Sequence, residues 1–389
     1  MFDPARAQEF FSALPASPAV CLVECRGENA EPLLLRTQNL RRRLERLFAT
    51  PDPSSKRLNL RDLASGVRYR PTASKFEQSY LYYQQAKNLF PERYQKLMRL
   101  RPPAVLKVSL GNAYPRCYVT RRITVDSSGT LMAGAYYGPF GTRRAAQAFA
   151  EQALDFFKVR HCQIKLRRDP GFPGCIYSEM KMCLAPCFAG CTEAEYRAEV
   201  QRLVGFLKSG GLSLQSMLEH ERERASEQLD FERAATLHKR VEKLLEVLRM
   251  CPELARPMEN LDGIVLQRAI EDQTIAAYAV RGGRLAEPCF VRFAEIAGQP
   301  RSAEQIFRDY LETAVPPADG AELGEHLALL ARWYYSHPRQ GEIVFRERDW
   351  PYRKILRACS RLLAPPSSAP DHTVVPLPSL RRPLHEGNP

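Results

Sequence analysis

The sequence predicts an α+β protein of several domains, and three observations carry that reading. Short apolar runs ended by Gly alternate with amphipathic stretches near the N-terminus, a long charged helical segment occupies the middle, and a run of β-like segments follows it. A chain of 389 residues is long enough for two or three separate cores.

The segment Pro18 to Gly27 (PAVCLVECRG) and the following PLLLRT read as two strands. In QNLRRRLERLF, Leu40, Leu44 and Leu47 recur at helical spacing, so residues 38–48 read as a helix. Arg41, Arg42, Arg43 and Arg46 crowd its other side, a basic face for phosphates or an ordinary solvated face. A helical stretch over SKFEQSYLYYQQAKNLFPERYQKLMRL is interrupted at Pro91, and VLKVSLGNAYPRCYVTRRITVDSSGTLMAGAYYGPF alternates like strands joined by Gly and Ser turns. Thr142 to Lys158 is again helical.

From His161 to Thr192 the chain holds Cys162, Cys175, Cys183, Cys187 and Cys191, five of its eleven cysteines, among Pro and Gly that favour loops. No apolar leader follows Met1 and no apolar run of eighteen residues occurs, so a cytoplasmic protein with no membrane association is expected. In a reducing compartment clustered cysteines hold metal or act as thiols more often than they form disulfides. Paired Cys-x2-Cys knuckles, the usual mark of structural zinc, are missing. His161 reads as structural. The net charge of +13 favours an acidic partner, with nucleic acid first.

Thr192, with Glu195 three residues on, reads as an N-cap, and the helix it starts runs to a Gly-Gly pair. Residues 212–250 alternate apolar and charged positions in the manner of a helical hairpin that projects from the body. GIVLQRAI, TIAAYAVR and CFVRFAEI read as an antiparallel meander turning at Arg281-Gly282-Gly283-Arg284. Helices follow at SAEQIFRDYLETA and GEHLALLARWYY, then a strand at GEIVF and a helix at YRKILRACSRLL. Asp262, Glu271, Asp272 and Glu295 are scattered and read as surface acids. The tail 365–389, rich in Pro and Ser, is expected to be disordered.

Four blocks, in order, resemble the UvrC family, the nuclease subunits of the bacterial UvrABC nucleotide excision repair system. They are LPASPAVCLVE with NLRRRLERLF, then YYGPFGTRRAAQAF, the cysteines ending in CLAPC, and LDFERAATL. The resemblance implies a GIY-YIG nuclease-like domain over 1–100, a cysteine-rich linker domain over 101–211, a UVR hairpin over 212–250, an α+β region over 259–364 and the tail. It assigns a [4Fe-4S] cluster to Cys162, Cys175, Cys183 and Cys187, leaving Cys191 outside. It assigns docking of a UvrB-like protein to Leu229, Phe231, Ala234, Ala235 and Leu237, and DNA contact to the arginine helix.

The GIY-YIG block departs from its family where cleavage would occur. Cys21, Leu33 with Leu35, and Leu47 stand where the family has tyrosines and a glycine, and Tyr82 stands where it has the metal-binding glutamate; Arg43 is retained as a residual catalytic position. Glu77 is near but a turn and a quarter away on the helix. The expectation is therefore a DNA- and UvrB-binding repair protein with an inactive cleavage centre, in which divalent metal for cleavage is doubtful. The alternatives are a single-incision endonuclease acting 3′ of lesions and an iron–sulfur redox or regulatory protein. The family's RNase H-like nuclease and helix-hairpin-helix motifs have little room in this chain.

Overall fold

The computed structural model describes residues 2–364 apart from 28–29, 51–53, 55–57, 127–129, 133, 165, 297–299 and 316–319. The expected disordered tail lies outside the described residues. The architecture is α+β: three antiparallel sheets, each with helices against it.

Helix α1 (Ala7–Ala13) precedes β1 (Ala19–Cys25) and β2 (Leu33–Thr37). Next come α2 (Leu40–Leu47), β3 (Ala64–Pro71), α3 (Lys75–Leu89) and the short α4 (Tyr94–Met98). Both expected strands and both expected helices are present. The edge strand β3 was not expected; it pairs with β1 to give the order β2-β1-β3.

Helix α2 forms because Asn39 accepts the Arg42 N–H at its start and because Leu40, Leu44 and Leu47 make one buried stripe. Each such leucine contributes roughly 1.5–3 kcal/mol by leaving water. The stripe packs on Ala19, Cys21, Val23 and Leu35. Strand residues alternate faces, so Val20, Leu22 and Leu34 point the other way, into a core with Tyr80, Leu81 and Tyr82 of α3. Helices α2 and α3 thus cover opposite faces of one sheet.

The middle of the chain supplies β4 (Ala104–Val108), β5 (Cys117–Thr120), β6 (Ala135–Phe140) and α5 (Arg143–Leu154). After the cysteine loops, which include the single turn α6 (Ile176–Glu179), come α7 (Glu193–Lys208), α8 (Leu212–Glu227) and α9 (Phe231–Arg249). The Thr192 cap is as expected: its hydroxyl accepts the Glu195 N–H at 3.2 Å and Glu195 accepts the Thr192 N–H at 2.8 Å. The short β7 (Arg256–Pro257) closes this second sheet in the order β5-β4-β6-β7.

The hairpin does not project along its whole length. Leu237, Val241, Leu244 and Val247 are buried with Phe149 and Leu203, and Lys243 reaches Asp155 at 2.9 Å. Only its turn end stands clear.

The third sheet contains β8 (Gly263–Arg268), β9 (Thr274–Arg281), β10 (Arg284–Leu285), β11 (Cys289–Arg292) and, after α10 (Phe293–Ile296), α11 (Ala303–Thr313) and α12 (Gly320–Tyr334), the strand β12 (Glu342–Phe345). Helix α13 (Tyr352–Leu363) covers one face with α11. The other face shares its core with α3 and α12, where Phe76 and Tyr278 meet edge to face at 5.0 Å. The first sheet and the third are thereby joined through α3.

Candidate functional site

The arginine helix is less free than its sequence suggests. Arg42, Arg43 and Arg46 are exposed, but Arg41 donates to the Leu14 carbonyl at 2.8 Å and the Ser12 carbonyl at 3.2 Å, serving the C-terminal end of α1. The residues expected around a cleavage centre are not gathered on one surface. Cys21, Leu35 and Leu47 face the core under α2, with Leu33 partly buried against it, whereas Tyr82 is buried in the core on the opposite face. Arg36 lies over the Tyr82 ring, 5.6 Å from its centroid.

Glu77 has a structural task. Ser74 accepts the Glu77 N–H, and the Glu77 carboxylate accepts the Ala73 N–H at 2.8 Å, so the pair caps α3. Burial pushes the carboxyl up, and the Ala73 N–H and the Arg70 charge pull against that. The four scattered acids are likewise occupied. Glu271 meets Arg292 at 2.8 Å and Glu295 meets the same guanidinium at 3.9 Å. Asp272 meets Arg268 at 3.5 Å, and Asp262 accepts the Gly282 N–H while lying between Arg281 and Arg346.

Four thiols lie on neighbouring loops between α5 and α7. Burial is the main cause that pushes the Cys183 thiol up to about 11; the Ala185 N–H lowers it, and the thiols of Cys162, Cys187 and Cys175 each raise it further. Cys183 and Cys187 thus each feel the charges of Cys162 and Cys175. The Ala185 N–H points at Cys183 Sγ at 3.3 Å. Ala185 and Ala189 hold left-handed backbone around these turns, at φ 54° and 62°. Among the described residues, no group of three or more His, Cys, Asp or Glu side chains is close enough for a single metal ion. Cys191 is buried in the core of the second sheet.

Sequence reasoning missed Arg160, which is 7 % exposed. Its guanidinium donates to the Tyr114 carbonyl at 3.1 Å, the Ile164 carbonyl at 3.1 Å and Cys162 Sγ at 3.9 Å. In sequence it is one cation among many, and only burial distinguishes it. His161 stacks on Tyr177 at 5.1 Å and 11°.

The hairpin turn is the third feature. The Leu229 N–H bonds to the Ser226 carbonyl and the Asp230 N–H to the Ala225 carbonyl, the paired bonds of a Schellman motif. Leu229 occupies its left-handed position at φ 59°, where glycine is usual. It is 72 % exposed and Phe231 is 66 % exposed. Ala235 is exposed and Ala234 half-buried, but Leu237, expected at the same docking face, is turned into the core.

These features define a multidomain α+β protein with a four-thiol loop and an apolar, strained hairpin tip. The model of the UvrC/Cho excinuclease middle domain matches residues 104–206, the stretch from β4 through the cysteines into α7. The chain is 31% identical to the UvrABC system protein C of Ruminiclostridium cellulolyticum over 46% of its length and 28% of that protein's. It is 31% identical to that of Gemmatimonas aurantiaca over 63% of this chain and 36% of the relative, and 26% identical to that of Chlamydia caviae over 75% and 48%. These matches support a UvrC-family protein, at modest identity. It spans less than half the length of each of these relatives. No solved structure matches it, and among the described residues no helix is long and apolar enough to cross a membrane.

Proposed function

We propose that this chain acts in nucleotide excision repair as a DNA-contacting protein that docks a UvrB-type partner through the hairpin tip and does not itself cut DNA. The observation that carries the reading is Leu229: an exposed leucine held in left-handed backbone beside an exposed phenylalanine. A strained conformation of this kind costs about 1 kcal/mol or more, and glycine would relieve it. A side chain retained there is well placed for contact with a second apolar helix, with Ala234 and Ala235 allowing close approach. In a pull-down with a UvrB-type protein, Phe231→Asp is expected to abolish capture, and capture that survives would overturn the docking.

The inactive cleavage centre is supported by the capping role of Glu77 and by the separation of Arg43 and Tyr82 onto helices that cover opposite sheet faces. A degenerate GIY-YIG unit of this kind offers DNA the exposed Arg42, Arg43 and Arg46, with Tyr82 where the metal-binding carboxylate would stand. A nicking assay on damaged duplex with magnesium or manganese is expected to show no cleavage. Cleavage abolished by Arg43→Ala would instead favour a single-incision endonuclease.

Cys162, Cys175, Cys183 and Cys187 have the donor chemistry for a [4Fe-4S] cluster: four soft thiols on one run of loops, an N–H on the Cys183 sulfur and a buried guanidinium at Cys162. When bound, the group would tie the loops between α5 and α7 together. Iron and acid-labile sulfide in protein purified without oxygen, with a band near 400 nm, is the expected result. One zinc in colourless protein would replace the cluster with the competing metal.

A further inference from the structure

A cleft of about 390 Å³ opens between the edge strand β2, the start of α3 and the end of α12. Arg36, Lys75 and Arg332 line it, with Phe76 and Trp333 beneath, and none of its lining residues is acidic. Among the described residues these three cations have no carboxylate partner within ion-pair distance. Arg36 is steadied by Ser79, to which it donates at 3.2 Å, and by the Tyr82 ring. Arg332 is steadied by the Arg99 carbonyl at 3.2 Å. The floor is rigid: Phe76 and Trp333 pack at 5.3 Å, and Trp333 donates its indole N–H to the Gln340 carbonyl at 2.6 Å.

Like charges brought together without a counter-charge are costly in the empty protein. Burial first, and then the Arg36 charge, hold Arg332 below the usual guanidinium value. An anion entering between them relieves that repulsion. Guanidinium groups match phosphate oxygens in bidentate geometry, and three cations suit a terminal phosphomonoester, which carries about 1.5 to 2 negative charges at neutral pH. A carboxylate supplies one.

We propose that this cleft binds a terminal phosphomonoester group, with Arg36, Lys75 and Arg332 on the phosphate. The site is separate from the exposed arginines of α2 and stands whether or not those contact duplex DNA. The same chemistry could come from the 5′ end of a strand or from a free nucleotide.

The test is binding of the full chain, at one fixed salt concentration, to a 5′-phosphorylated oligothymidylate and to the same oligomer with a 5′-hydroxyl. At least ten-fold tighter binding of the phosphorylated oligomer is expected. The double substitution Arg36→Gln with Arg332→Gln should bring the two to parity, while Arg42→Gln with Arg43→Gln should leave the preference unchanged. Competition by thymidine monophosphate would identify a free nucleotide as the ligand, and failure to compete would identify the strand end; either supports the site. Should the double variant melt early, Lys75→Gln, at an exposed position, is the second variant and is expected to reduce the preference severalfold. No preference in the unsubstituted chain, or a preference that survives the substitutions, overturns the proposal.

Discussion

Tyr83 donates its hydroxyl to Glu325 at 2.7 Å, joining α3 to α12 across 242 residues of sequence. The same carboxylate accepts the Tyr94 hydroxyl at 2.7 Å and the Gln95 amide at 2.9 Å, and Lys87 pairs with Glu322 one turn away. The contact between the first and third sheets is thus polar at its edge and aromatic at its centre. Glu325→Ala would leave three donors without their acceptor, at a cost of about 3–5 kcal/mol, because unpaired buried groups lose their full desolvation energy. Denaturant unfolding should show that loss, whereas a value under about 1 kcal/mol would mean that water reaches the network.

His326, beside this network, makes stability depend on pH. Its Nδ1 accepts the Leu285 N–H at 3.1 Å, and burial, with the Lys87 and Arg284 charges behind it, lowers it to about 4. An unfolded histidine titrates near 6.5. The folded state therefore binds fewer protons between these values, so the contribution is fully present above about pH 6.5 and is lost as pH falls toward 4. The loss is up to about 3 kcal/mol for one group. His326→Gln, which keeps an acceptor for Leu285, should flatten unfolding free energy against pH in that window; an unchanged slope would assign the dependence to other groups.

Much of the fold was legible because its signals are local. The leucine stripe of α2, the Thr192 cap and the alternation of β8 and β9 depend on residues a few positions apart. The edge strand β3 escaped because Arg68, Tyr69 and Arg70 are exposed there and leave no apolar alternation to read. The role of Glu77 was present in the Ser74-x-x-Glu77 spacing, a capping pattern eclipsed by its proximity to an expected catalytic position. Arg41 and Arg160 could not be sorted from their neighbours, since what occupies them is a set of backbone carbonyls, three of them distant in sequence, and, for Arg160, a thiol. The cleft at Arg36 and Arg332 joins positions nearly three hundred residues apart in the chain, and no short-range pattern reports it.

Gly341 tests how firmly β12 is seated on β8. It has φ +79°, and an added Cβ would meet the Leu266 carbonyl oxygen and the Gln267 side chain. Gly341→Ala therefore combines backbone strain with a clash against the strand that β12 pairs with. A loss of about 2–4 kcal/mol is expected. Gly111→Ala, where an added Cβ meets nothing within 4 Å, is the control and should change stability little. Thermal melts of the two variants side by side give the comparison, and equal melting temperatures would contradict the tight seating.

The hairpin tip separates stability from docking within a few residues. Leu237→Ala removes a buried side chain from the core shared with α5 and α7 and should cost about 2–4 kcal/mol. Leu229→Gly acts in the opposite direction: it removes an exposed side chain and relieves left-handed strain, so it should stabilise the folded chain by up to about 1 kcal/mol. If the leucine is retained for docking, the same substitution weakens capture of a UvrB-type protein by roughly ten-fold, the size of a lost apolar anchor worth about 1.4 kcal/mol. A gain in stability with a loss of capture is therefore the expected pair of outcomes. A gain in stability with capture unchanged would leave the strain at Leu229 without a functional cause and transfer the docking to Phe231 alone.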